Sequence, residues 1–198
     1  RTLLLARDAI GEKPLYFSET LASGRSQFAF ASEIKALRGL PHIDRSLNRT
    51  ALLDFMRFLY TAPPHTLYHG THELQPGHWL QVDLRTGRSQ PPQAFYSIEK
   101  SLDYEETVTP QDAVTRFREL FEESVNLRLI SDVETGIFLS AGIDSNAILA
   151  AAKGFSGLKG LHTYTLQYAS GYDESALARE VATANGLSNE TILFDKLE

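Results

Sequence analysis

A segment rich in small and hydroxyl-bearing residues, in the second half of the chain, has the composition of an anion-binding loop. It follows Phe138-Leu139 and reads Ser140-Ala141-Gly142-Ile143-Asp144-Ser145. Small residues let the backbone approach an anion, a helix N-terminus directs unpaired N–H groups at it, and serine hydroxyls add donors. The segment therefore predicts a phosphate-binding loop. The other interpretation is an ordinary strand-to-helix turn with Asp or Ser as its cap.

Asp144 needs a separate explanation in a phosphate loop, because a carboxylate and a phosphate repel each other. The repulsion is removed when a divalent cation lies between them, and Mg²⁺ takes oxygen ligands of both kinds. We therefore expect Asp144 to bind a Mg²⁺ ion that bridges phosphate oxygens.

The residues around this segment predict alternating strands and helices. Thr109-Pro110 has the pattern of a helix start, with an N-cap and a Pro at the first helical position, and a long amphipathic helix follows. Short apolar runs then indicate buried strands, and the segments between them indicate helices. The strands are predicted at residues 135–139, 161–168 and 191–194, and the helices at 146–153 and 174–185. This βαβαβ order is typical of a doubly wound parallel α/β sheet.

The first half of the chain contains short apolar or alternating runs, which are typical of β-rich structure. Turn residues after the first two predicted strands suggest antiparallel neighbours. Ser32 and Asn48 are expected to cap two helices. The strands are predicted at residues 2–6, 14–17 and 27–31 and on both sides of Gln75-Pro76-Gly77.

A stretch without a clear period, residues 89–104, divides the two halves and has the composition of a linker. We predict one domain over residues 1–100, a linker over 101–110 and a second domain over 111–198. The chain lacks an initiating Met and both of its ends adjoin predicted strands. Both ends are therefore expected to be cut points in a longer protein.

The composition excludes several classes of function. The net charge of −6 leaves no basic surface for a nucleic-acid backbone. No apolar run approaches the roughly 20 residues that span a bilayer, and the start is too charged for a secretory signal, so a cytoplasmic location is expected. The absence of cysteine excludes disulfides, thiolate metal sites and a Cys nucleophile within these 198 residues.

The phosphate loop resembles the SGGxDS loop of the ATP pyrophosphatases, the superfamily of asparagine, GMP and NAD synthetases, with Ala141 where Gly is usual. We expect the added methyl group to be tolerated. The resemblance implies that ATP is cleaved between its α and β phosphates. It implies an ATP and pyrophosphate site with Mg²⁺ on Asp144, and with Phe138 and Leu166 beside the adenosine. The site residues implied are Phe138, Leu139, Ser140, Ala141, Gly142, Ile143, Asp144, Ser145 and Leu166.

The first half carries two further motifs. Residues 7–16, RDAIGEKPLY, resemble the RDxxGxKPLYY segment of class II glutamine amidotransferases, and residues 30–37, FASEIKAL, resemble the FASEIKAL segment of that family. Residues 65–68, 74–78 and 172–175 are similar to stretches of glutamine-hydrolysing asparagine synthetases. The resemblance covers nearly the whole chain. It implies the C-terminal part of an N-terminal-nucleophile (αββα) glutaminase domain, followed by the start of a doubly wound ATP-pyrophosphatase domain.

This resemblance implies a complete reaction. ATP, L-aspartate and L-glutamine give L-asparagine, AMP, pyrophosphate and L-glutamate through a β-aspartyl-AMP intermediate. The nucleophilic Cys of the family lies before Arg1, so no catalytic residue is expected within this chain. The implied partners are small-molecule substrates, with a homodimer as a candidate assembly and no nucleic acid or membrane.

Two other functions stay open at the level of sequence. One is a related ATP-dependent amide-forming synthetase or cyclase, of the β-lactam or lasso-peptide type, with a degenerate glutaminase domain. The other is a non-catalytic homologue that binds a partner, which Ala141 in the phosphate loop would favour.

Several other polar residues have structural explanations. A metal site at His65, His69, His72 and His78 is not expected, because no Cys or carboxylate pair accompanies them. Arg7, Asp8 and Lys13 are interpreted as a structural ion-pair network. Asp173 and Glu174 are expected either to cap the following helix or to line the site.

Overall fold

Two units make up this computed structural model, Arg1–Tyr104 and Glu105–Glu198. The structure describes residues 1–22, 24–101, 108–154, 160–168 and 173–194. Each unit is described separately below, as unit 1 and unit 2.

The described residues of unit 1 form two antiparallel sheets. The strands are β1 (Thr2–Ala6), β2 (Tyr16–Ala22), β3 (Arg25–Ala31), β4 (His72–Glu73), β5 (His78–Asp83), β6 (Arg88–Ser89) and β7 (Gln93–Ala94). In one sheet β5 pairs with β1, β6 and β7, and in the other β2 lies between β3 and β4. Alternate side chains of β5 are buried, as expected for a strand with one face in the core.

The core of unit 1 joins the two sheets. Leu5, Leu80 and Val82 of the first sheet form one apolar cluster with Phe17 of the second sheet and with Leu74. All five are at least nine-tenths buried. Burial of such a side chain contributes about 1.5–3 kcal/mol, so this cluster is a main source of stability in unit 1.

Two helices accompany these sheets, α1 (Ile34–Arg38) and α2 (Arg49–Phe58). The predicted cap of α2 is confirmed, since the Asn48 side chain accepts a hydrogen bond from the Ala51 N–H at 3.3 Å. The predicted cap of α1 is wrong. Glu33, not Ser32, holds the N-cap position, and its side chain makes no capping bond.

Two predictions about strand pairing were also wrong. β1 and β2 were expected to be antiparallel neighbours, but they lie in different sheets. Residues 89–104 were interpreted as a linker, yet Ser89 and Gln93-Ala94 pair with β5. For β1 the deciding partner is β5, more than seventy residues later, and a local pattern carries no information about so distant a strand. For residues 89–94 the partner is the preceding strand β5, and strands of two residues are too short to show a period of their own.

Unit 2 has the alternating order that the sequence predicts. Its elements are α3 (Pro110–Arg128), β8 (Gly136–Phe138), α4 (Ile143–Lys153), β9 (His162–Tyr168), α5 (Ser175–Ala184) and β10 (Asn189–Phe194). The three strands are parallel, with β9 between β8 and β10. Thr109 caps α3 as predicted, because its side chain accepts the Asp112 N–H at 3.2 Å.

One face of this sheet is buried under helices. Ile137 and Leu139 belong to an apolar cluster that includes residues of all three helices, such as Val125, Leu149 and Ala178. Side chains alternate along a strand, so Phe138 points to the opposite face, as do Leu166 and Ile192. That face is open among the described residues, and 72% of the Phe138 surface is exposed.

Within the described part of the chain, no helix combines the length and the apolar character needed to cross a membrane.

Candidate functional site

The predicted phosphate loop lies between β8 and α4, but the helix starts earlier than expected. It was predicted from Asn146 and begins at Ile143, so Asp144 and Ser145 belong to its first turn. The reason is that Gly142 takes an extended N-cap conformation, with φ −71° and ψ 151°. Its carbonyl accepts the Asn146 N–H at 3.3 Å.

Hydroxyl groups hold the loop in shape. The Ser140 N–H donates to Ser145 Oγ and the Gly142 N–H donates to Ser140 Oγ, both at 3.1 Å. The two hydroxyl oxygens are 3.0 Å apart. The Asn146 amide donates to the Gly142 carbonyl at 2.7 Å. The loop is therefore ordered by its own polar groups.

The N-terminus of α4 presents free hydrogen-bond donors. The first N–H groups of a helix have no acceptor within it. Here the N–H groups of Ile143, Asp144 and Ser145 find no partner among the described residues, and Gly142 has no side chain to cap them. Such an end carries partial positive charge and binds anions.

Asp144 is placed where it could hold a cation beside that anion. It is exposed, and in the described ranges its carboxylate makes no hydrogen bond or ion pair. A free carboxylate next to unpaired N–H donors is a residue that would hold a Mg²⁺ ion beside a bound phosphate. Over the same ranges, no group of three or more His, Asp or Glu side chains could hold a metal by itself.

A cleft of about 410 Å³ adjoins the loop at the ends of β8 and β9. Its lining residues are Phe138, Leu139, Ser140, Tyr164, Thr165, Leu166, Tyr168 and Glu174. Phe138 and Leu166 contribute apolar surface, being 72% and 42% exposed. Leu139 is only 2% exposed and its side chain belongs to the core, so only its backbone is available to a ligand.

Sequence reasoning missed three of these lining residues, namely Tyr164, Thr165 and Tyr168, and it left the role of Glu174 open. Tyr168 ends β9, and Tyr164 and Thr165 lie in β9 next to the carboxyl end of β8. Ligands of parallel sheets bind at the carboxyl ends of the strands, so this rule could have found them. Thr165 also fixes the loop entry. Its hydroxyl donates to the Leu139 carbonyl at 2.8 Å and accepts from the Asn189 amide at 3.0 Å.

Asp173 and Glu174 divide the two roles that the sequence left open. Asp173 caps α5 by accepting the Ser175 N–H at 2.9 Å, and this hydrogen bond holds the pKa of Asp173 below its usual range. Glu174 instead reaches the loop, where its Oε2 accepts the Ala141 N–H at 3.2 Å. Ala141 is not among the residues with positive φ, so its methyl group causes no backbone strain.

The RDxxGxKP segment of unit 1 is a hydrogen-bonded structural turn. The buried Arg7 guanidinium pairs with Glu73 at 2.7 Å and donates to the carbonyls of Leu74, Lys13 and Gly11. The predicted ion pairs with Asp8 and Lys13 are wrong. The Asp8 carboxylate instead accepts backbone N–H groups from residues 10–13, and the bond from Glu12 is the main reason why the pKa of Asp8 is lowered.

The fold and the loop define a class of protein in which a β-rich unit precedes a parallel α/β unit whose helix N-terminus has no side-chain cap. Two family models match these two units in the same order. The glutamine amidotransferase domain matches residues 1–96, and asparagine synthase matches residues 116–198. The first segment therefore matches the glutamine amidotransferase domain family, and the second matches the asparagine synthase family.

Curated relatives extend this result. Glutamine-hydrolyzing asparagine synthetases 2 and 3 of Bacillus subtilis (strain 168) are 33% and 34% identical over 97% and 84% of this chain. Amidase chry2 of Gibberella zeae is 27% identical over 98% of this chain and 30% of its own length. The chain spans 26% of each Bacillus protein, about a quarter of their length.

Proposed function

We propose that the chain is the part of a glutamine-dependent asparagine synthetase that joins glutamine hydrolysis to aspartate activation. ATP, aspartate and glutamine would give asparagine, AMP, pyrophosphate and glutamate through β-aspartyl-AMP. The observation that carries this proposal is the uncapped N-terminus of α4 beside an apolar cleft, in a chain with both family domains in order.

The chain's own residues have separate tasks in this proposal. The N–H groups of Ile143 and Ser145 and the hydroxyl of Ser140 bind the pyrophosphate part of ATP. Phe138 and Leu166, which both line the cleft, would flank the adenosine. Asp144 would hold Mg²⁺, which when bound would neutralise charge on the pyrophosphate.

We also propose a specific fold for each unit and specific domain bounds. Unit 1 would be the C-terminal part of an N-terminal-nucleophile (αββα) glutaminase domain. The sheet of unit 2 would continue on the free side of β8, since β8, β9 and β10 follow one another in a single direction and a doubly wound sheet reverses. The domains would be 1–100 and 111–198 with a linker at 101–110, in a cytoplasmic and homodimeric protein.

Replacing Asp144 with Asn in the full-length protein tests the central proposal. Asn retains the size of Asp and removes its charge, so the release of AMP should fall by about 10²-fold or more, because Asp144 is then unable to hold the cation. Glutamate release from glutamine should persist, since that chemistry belongs to the other domain. Both products are measured in steady-state assays.

Asp132→Asn is the matched control, because Asp132 is an exposed Asp outside the loop and should leave both rates unchanged. AMP release by Asp144→Asn within about tenfold of the wild type would contradict the metal role of Asp144.

A second candidate is a synthetase or cyclase that activates another carboxylate, of the β-lactam or lasso-peptide type. The match to Amidase chry2, which is not named as an asparagine synthetase, favours this alternative. Pyrophosphate release with aspartate, compared with release for a panel of other carboxylates, separates the two. Failure of the protein to bind ATP would instead support the non-catalytic homologue.

A further inference from the structure

The carboxylate of Glu174 lies against the phosphate loop. Its Oε2 accepts the N–H of Ala141 at 3.2 Å, and the side chain lines the cleft together with Ser140. Backbone N–H groups of such loops are donors for phosphate oxygens. A carboxylate of this chain therefore accepts a hydrogen bond from a donor that a phosphate would use.

The side chain of Glu174 is not needed to start its own helix, although Glu174 holds the N-cap position of α5. The N-terminus of α5 is capped by Asp173, which accepts from the Ser175 N–H at 2.9 Å and from the Ser175 hydroxyl at 3.1 Å. The Glu174 side chain makes no capping bond. Among the described residues, the Glu174 side chain forms its hydrogen bond with the Ala141 N–H.

We propose that Glu174 competes with polyphosphate for the Ala141 N–H of this loop. Its carboxylate occupies the Ala141 N–H and has to withdraw when a polyphosphate binds. Because Glu174 and a polyphosphate are both negative, binding is weakened most when no cation is present, so the residue makes occupancy of the loop depend on Mg²⁺. This inference rests on the phosphate-binding role given to the loop above.

The test is calorimetric titration of the full-length protein with inorganic pyrophosphate and with ATP, in EDTA and in Mg²⁺. Glu174→Gln keeps an acceptor for the Ala141 N–H and removes the charge. It should bind pyrophosphate about tenfold more tightly than the wild type in EDTA, because a like charge at close range has been removed. The gain should be smaller in Mg²⁺.

Glu180→Gln is the matched control, because Glu180 is exposed on the same helix and its substitution changes the net charge equally. It should leave the affinity unchanged. Glu174→Ala, which removes both the charge and the acceptor, should also bind more tightly, and it serves if the Gln variant fails to fold in a thermal melt.

The titration results distinguish failure of the competitor role from failure of the proposed function. Wild-type binding without a gain in Glu174→Gln, or with an equal gain in Glu180→Gln, overturns the competitor role and leaves the proposed function intact. A loss of affinity in Glu174→Gln would make the residue a ligand and also overturns it. Absence of binding by all of the proteins at millimolar ligand contradicts both this inference and the phosphate site.

Discussion

Arg7 belongs to a family motif, and its contacts give it a structural role in unit 1. Its side chain is 8% exposed and that of its partner Glu73 is 13% exposed, and they meet at 2.7 Å. Three further hydrogen bonds of the guanidinium go to backbone carbonyls. The planar guanidinium therefore stabilises a turn that connects both sheets of unit 1.

We expect Arg7→Ala to destabilise unit 1 by about 3 kcal/mol, because it leaves Glu73, which is only 13% exposed, without its counter-charge. Chemical denaturation followed by tryptophan fluorescence measures this, since Trp79 lies in β5. Lys35→Ala is the control. It breaks the exposed Lys35–Glu33 pair and should change nothing measurable. Equal effects of the two substitutions would refute the structural role of Arg7.

The start of α5 illustrates what a single element contributes. Asp173 accepts from both the N–H and the hydroxyl of Ser175, and its other bond comes from the Gln167 amide at 2.8 Å. These bonds hold the end of β9 and the first turn of α5 together. The same turn places Glu174 against the loop, so the cap and the site depend on one short segment.

Asp173→Asn should lower the thermal midpoint by about 2 °C or more at pH 7. The hydrogen bond from the Ser175 N–H lowers the pKa of Asp173 in the folded state. The charged form therefore stabilises the fold above the unfolded pKa of about 3.9, and this contribution is lost as the pH falls through the folded pKa.

The difference in midpoint between wild type and Asp173→Asn should accordingly shrink as the pH is lowered from 6 towards 3, as followed by circular dichroism. Asp132→Asn, with an exposed Asp that makes no bond among the described residues, should show no such trend. A constant difference at every pH would argue against a charged cap.

At the scale of the whole molecule, composition restricts the chemistry of this chain. It contains no cysteine, although it matches a glutamine amidotransferase domain over residues 1–96. If glutamine hydrolysis in this family uses a Cys nucleophile, as the resemblance implies, these 198 residues lack it.

The purified 198-residue chain should therefore release no ammonia from glutamine above the buffer rate. A glutamate dehydrogenase-coupled assay measures this, with a separate glutaminase as the positive control. Ammonia release that copurifies with the chain would show that the nucleophile is not a cysteine.

Local sequence patterns were enough to predict many of the elements of this molecule. The order of elements in unit 2, the caps Thr109 and Asn48 and the loop at 140–145 all follow from short patterns, because caps, helical periods and small-residue turns depend on neighbours in sequence. The two family motifs of the first half likewise lie in continuous segments.

Tertiary structure alone decided which strands pair and which side chains meet. β1 joins β5 across more than seventy residues, and Glu174 reaches Ala141 from the far end of β9. Such contacts depend on sheet order and on register, which local periodicity does not contain. The sequence by itself therefore determined the elements and the loop, and the fold decided that a carboxylate of the chain lies on one of the loop's donors.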